Sequence, residues 1–173
     1  EWSVAPHAPL LLWVMSLWIV AGVRSLLIFN YRRANPASWG SANWYRWMLV
    51  ATSLSGFGWG GSVYFLTLGF PLPYELVHLF LLGGMAAGAV PVLSASFPLF
   101  LWYIGPLTVP ILAHFFFSGH EFHTIMGLMG ILFFLATIHS AWNFNRALLS
   151  SMRLQIEKVA LARSLTARTE AVE

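Results

Sequence analysis

Five stretches of about twenty residues, nearly free of charge, constrain this chain more than anything else in it. They cover residues 10–31, 45–68, 74–95, 98–117 and 123–145. A helix rises 1.5 Å per residue, so each stretch is long enough to cross the hydrocarbon core of a bilayer. A transmembrane barrel would need strands of about 10 residues that alternate polar and apolar. Residues 76–85 are apolar almost throughout, which excludes it. The sequence therefore predicts an all-α, polytopic transmembrane helix bundle with five visible spans.

Composition agrees. Of the 173 residues 58% are hydrophobic and only 9% charged, against about 25% charged in soluble domains. An ordinary water-soluble domain and a disordered chain are both excluded. The sequence has no Cys and no Asp. A disulfide framework, a thiolate metal site, a Ser-His-Asp triad and an Asp phosphoacceptor are thereby excluded from this stretch. The basic residues form no patch for nucleic acid; they gather where a bilayer would place them.

Turn residues separate the spans: Asn35-Pro36 with Ser38 and Gly40, then Gly69-Phe70-Pro71-Leu72-Pro73, Ser96-Phe97-Pro98 and Ser118-Gly119. Arg32, Arg33 and Arg46 bracket the first loop, and Arg146, Arg153, Lys158, Arg163 and Arg168 follow the last span. Five crossings put both groups on one side, opposite Glu1, Glu75 and Glu121. The positive-inside rule makes that side cytoplasmic, carboxyl terminus included. Trp39, Trp44, Trp47, Trp102 and Trp142 fall near the same boundary, as an aromatic belt would. An odd number of spans with an outside amino terminus is most simply completed by one more helix before Glu1, so six spans are expected in the full protein.

Lipid offers little hydrophobic force between helices, so close backbone approach must hold the bundle. Gly56 and Gly60 form one G-x-x-x-G and Gly84 and Gly88 another. They suggest a tight contact between spans two and three, or between protomers, with Gly84/Gly88 the stronger candidate. Pro91, Pro106 and Pro110 each remove a helical hydrogen bond and should bend their spans.

Beyond residue 145 Gly and Pro vanish and charge appears. Leu149, Met152, Ile156 and Val159 follow a 3-4-3 spacing, the seam of a coiled coil. The stripe then shifts to Leu161, Leu165 and Val172, a stutter. The chain divides into a membrane bundle (1–145) and a cytoplasmic signalling helix or coiled-coil stalk (146–173), with a parallel homodimer as the expected partner arrangement. An amphipathic helix lying on the membrane is the competing reading.

A resemblance rests on specific residues. Leu82-Gly83-Gly84-Met85-Ala86-Ala87-Gly88-Ala89-Val90 is followed by Ser94-Ala95-Ser96-Phe97-Pro98, then by Pro106, Pro110 and a turn at Gly119. The last span ends Asn143-Phe144-Asn145-Arg146 and runs into Ser151-Met152-Arg153-Leu154-Gln155-Ile156-Glu157. This order resembles the multi-span amino-terminal sensor regions (MASE-type) of bacterial diguanylate cyclases, cyclic-di-GMP phosphodiesterases and hybrid histidine kinases. The resemblance implies a non-catalytic input module in the inner membrane of a bacterium, whose stalk leads to a signalling enzyme domain beyond residue 173. It brings no ligand residues with it. The alternative is an accessory subunit of a larger membrane complex.

Two groups of polar residues are candidates for chemistry. His78, His114, His120 and His123 map to the outer side. Neutral imidazoles within reach of one another suit a divalent metal such as zinc or copper, with Glu121 as a further ligand. They also suit a response to external pH, or simply a wet position at the head-group level. Arg24, the strong charge inside a span, is expected to snorkel toward the inner interface or to find a carbonyl or hydroxyl partner. His139, Asn143 and Asn145 lie where the last span leaves the membrane and, with Arg24, are candidates for signal transfer. Glu75 begins span three and reads as a helix amino-terminal carboxylate.

Overall fold

A computed structural model describes residues 7–33, 42–66 and 71–170, the side chains of 7, 32, 42, 65 and 165–170 excepted. The first loop, Gly69-Phe70, and the stripe positions Leu165 and Val172 lie outside what is described. The elements are α1 (His7–Arg33), α2 (Ala42–Gly60), α3 (Val63–Leu66), α4 (Leu72–Leu93), α5 (Phe97–Phe117) and α6 (Glu121–Glu170). No strand occurs among the described residues, as the apolar runs require.

Four of these helices have the length and apolarity to cross a membrane: α1, α4, α5 and α6. The expected second span is the exception. It does not run unbroken from 45 to 68; it ends at Gly60, turns through Gly61 and Ser62, and resumes as the four-residue α3. Two consecutive glycines supply the reason, since glycine gives up the most backbone entropy in a helix. Its serines, threonine and glycines also make α2 less apolar than its neighbours.

Side-chain contacts nevertheless carry α2 and α3 along the whole of α5. Tyr45 meets Ser96 at the start of α5, at 3.5 Å between hydroxyls. Gly56 lies at Tyr103 and Gly60 at Leu107. Tyr64 packs edge-on against His114 near the end of α5, their rings 5.9 Å apart. Contacts that advance together mean that α2 and α5 run parallel. The same reasoning makes α4 and α6 parallel, because Glu75 meets His123, Gly83 meets Phe133 and Ser94 meets Asn145. By contrast, Trp13 reaches Gly58 while Tyr31 packs on Trp44, so α1 and α2 are antiparallel. Gly127 at Phe115 with Gly130 at Leu112 makes α5 and α6 antiparallel. The up-and-down order of the helices follows, with α2–α3 sharing the extent of α5.

The core lies where α4, α5 and α6 converge, around Leu82, Ala86, Phe100, Ile104, Leu107 and Phe134. Outside it the bundle presents large apolar side chains such as Phe80, Trp18 and Phe117. So broad an exposed apolar surface is that of a membrane protein.

The tightest helix pair is not the expected one. Cβ atoms built on Gly56 and Gly60 would run into the backbone carbonyls of Tyr103 and Leu107 respectively; the one on Gly60 would also lie 2.8 Å from the Pro106 carbonyl. The close contact is therefore between α2 and α5, the second and fourth of the expected spans. Proline explains the site. Pro110 has no N–H to donate, so the carbonyl of Pro106 four residues earlier loses its helical partner and faces Gly60. Gly84 and Gly88 meet nothing within 4 Å; within the chain they are not a packing pair. Both α4 and α5 remain helical through Pro91, Pro106 and Pro110.

Candidate functional site

At one end of the bundle three helices bring titratable side chains together. Pro71 and Pro73 start α4 and place Glu75 in its first turn. His114 lies in the last turn of α5. Gly119, at φ +75°, takes the left-handed conformation that lets the chain reverse, and His123 follows in the first turn of α6. His114 Nε2 is 3.2 Å from Glu75 Oε1 and His123 Nε2 is 3.2 Å from Oε2. One carboxylate thus clamps two helices, with its side chain only 7% exposed.

The carboxylate that joins the histidines is Glu75, not Glu121. Nor does Glu75 cap its helix, since the amino terminus of α4 has no side-chain cap and both its oxygens face imidazoles. His120 is exposed, its ring 5.4 Å from that of His123. His78 stands apart from the clamp: it is buried, its Nε2 is 2.8 Å from the Ser62 hydroxyl, and its ring faces Trp13. The four expected ligands therefore divide, three around the α5–α6 turn and His78, in α4, bonded to Ser62 of the α2–α3 turn. Among the described residues no group of three or more His, Asp or Glu has the geometry to hold a metal ion. What the arrangement does offer is fastening: each Glu75 oxygen is within hydrogen-bond distance of one imidazole Nε2, which ties α4 to both α5 and α6.

At the opposite end Asn145 forms a second tie. Its amide donates to the carbonyls of Ser94, at 2.6 Å, and Ala95, at 3.3 Å. These are carbonyls at the end of α4 that no later helical N–H satisfies. Asn143 behaves differently: it donates to His139 Nε2 at 2.9 Å along the exposed side of α6. Of the three signal-transfer candidates on α6, only Asn145 links that helix to another.

Beyond this tie α6 does not end. It is one helix of 50 residues, about 75 Å long at 1.5 Å per residue. From Leu149 to Ser164 every residue is exposed, and Leu149, Met152, Ile156 and Val159 lie bare along it.

Arg24 does not stand alone in lipid. It lines a cleft of about 640 Å³ with Trp13, Leu17, Trp59, Gly88 and Tyr103. Sequence reasoning missed the cleft, because its walls come from four helices and Tyr103 is an unremarked tyrosine in an apolar run. No protein-family profile, curated protein or solved structure matches the chain.

Proposed function

We propose that this chain is a membrane sensory input module that relays a stimulus through a helical stalk to a cytoplasmic signalling domain. The observation that carries the reading is the unbroken α6, a span and an exposed rod in one element. A continuous helix transmits tilt, rotation or axial shift; a flexible linker would dissipate them. The bare seam from Leu149 to Val159 has the spacing for a parallel dimer, and anchorage in one membrane raises the effective concentration of the two stalks. The module itself is non-catalytic in this reading. It acts only insofar as a stimulus favours one packing of the bundle over another. The cationic end, with the stalk, faces the cytoplasm of a bacterial cell and the histidine clamp faces outward.

The test is a fusion in which residues 1–173 precede a diguanylate cyclase domain. One, two, three or four alanines are inserted after Arg146. Each residue turns a helix by about 100°, so a stalk that transmits rotation makes cyclase output rise and fall with inserted length. Output that stays flat across the series overturns the reading. It would leave the chain as an accessory subunit of a membrane assembly.

A further inference from the structure

The cleft beside Arg24 has the chemistry of a ligand site. Its walls are α1, through Trp13, Leu17 and Trp18, and α4, through Gly84, Gly88 and Val92. Toward the histidine end it is lined by Trp13, which packs edge-on against Trp59 with ring centres 5.3 Å apart. Trp18 and Val92, also on its lining, are both largely exposed. Gly84 and Gly88, with open space where side chains would stand, give the cleft its width.

Two of the polar groups lining the cleft are unused. The Trp13 indole N–H donates to the Gly58 carbonyl at 2.7 Å, and the Ser55 hydroxyl donates to Ala51. Tyr103 is only 4% exposed, yet its hydroxyl makes no hydrogen bond to a described residue. The buried Nε of Arg24 also has no partner, and no described carboxylate pairs with the guanidinium. A cation within a membrane span is costly unless something neutralises it, and a polar group shielded from water is stabilised by a hydrogen-bond partner. Both groups donate hydrogen bonds, and one carries a positive charge. The occupant that satisfies them accepts hydrogen bonds, carries a negative charge and is otherwise apolar.

We propose that the cleft binds a long-chain fatty acid. Its carboxylate sits on the Arg24 guanidinium, which matches a carboxylate in two parallel bonds, and accepts a further bond from Tyr103. Its chain lies along the apolar wall toward Trp13, about 16 Å away along α1 at 1.5 Å per residue. A phospholipid headgroup is too bulky and too strongly hydrated for this depth: Tyr103 lies about 9 Å along α5 from Phe97. The site stands on its own residues and does not depend on the signalling role.

The full chain in phosphatidylcholine nanodiscs is labelled with a diazirine-bearing C16 fatty acid, and the cross-linked peptides are mapped. Labels are expected on residues 13–24 and 84–93, and excess palmitate should remove them. Hexadecanol, with the same chain and no charge, should compete at least tenfold less well. Arg24→Gln should lower specific labelling at least tenfold, Arg24→Lys should keep most of it, and Gly88→Leu should abolish it by filling the cleft. Labels spread evenly round the lipid-facing belt, or displaced equally by palmitate and hexadecanol, overturn the proposal. The alcohol comparison uses the unaltered chain, so it decides even where a variant does not fold.

Discussion

A methyl group added at Gly60 would enter the space of the Leu107 and Pro106 carbonyl oxygens, which are backbone and cannot swing aside. The same group at Gly88 would meet nothing. Overpacking of a close contact costs about 1–3 kcal/mol, so Gly60→Ala should lower stability by about 3 kcal/mol while Gly88→Ala stays within about 0.5 kcal/mol. Thermal unfolding in detergent, followed by helical circular dichroism, reads the difference; equal losses would mean that α2 and α5 are not in close contact. The sequence offered both glycine pairs in the same spacing and could not tell which of them packs within the chain. The deciding fact is a carbonyl released by Pro110 on another helix, and single-chain periodicity contains no such information. Glu75 makes the same point. Its place beside Pro71 and Pro73 reads as a helix start, yet its oxygens serve His114 and His123. Glu75→Ala should cost about 1–3 kcal/mol, because two part-buried imidazoles lose their shared acceptor. Glu75→Gln, which keeps one acceptor, should cost less. If both variants unfold at the wild-type temperature, the clamp contributes nothing.

At the level of elements, four spans were legible because apolar length is a local property, whereas the break in α2 was not. A run from 45 to 68 is apolar enough on average to look continuous, and only its Gly60-Gly61 pair marks the interruption. The stalk was legible for the opposite reason. Its seam is a 3-4-3 spacing within one helix, and every seam residue to Val159 is bare in the single chain. That bareness leads to a prediction for the proposed dimer. The chain has no cysteine of its own, so single substitutions report cleanly. Met152→Cys and Val159→Cys should form disulfide-linked dimers in membranes under mild oxidation. Leu154→Cys, on the outer face of the same heptads, should not. Cross-linking at all three alike, or at none, argues against a parallel seam. The tie at Asn145 belongs to this scale too. Asn145→Ala leaves the Ser94 and Ala95 carbonyls short of a donor, and amide exchange in α6 near residue 145 should accelerate severalfold while the centre of α5 remains protected.

The molecule as a whole has two chemically different ends, and the helix directions fix which residues share each. Arg33, Arg46 and the stalk fall at one end, because α1 and α6 leave the bundle there and α2 and α5 enter it. Glu75, His114 and His123 fall at the other. A bilayer reads such an asymmetry through cationic residues in short connections, so the proposed orientation has a direct consequence. Alkaline phosphatase inserted after Gly119 should be active, since it folds only after export. Green fluorescent protein fused after Glu173 should be fluorescent, since it matures in the cytoplasm. Moving cations should weaken that bias: replacing Arg33 and Arg46 with Gln and adding two lysines beside Gly119 should yield a mixed population in which both reporters give partial signals. If the unaltered chain shows the reverse pattern, with an inactive phosphatase at Gly119 and a dark fusion at the carboxyl end, the stalk points out of the cell. It then has no cytoplasmic domain to inform, however rigid the rod and however well its seam pairs.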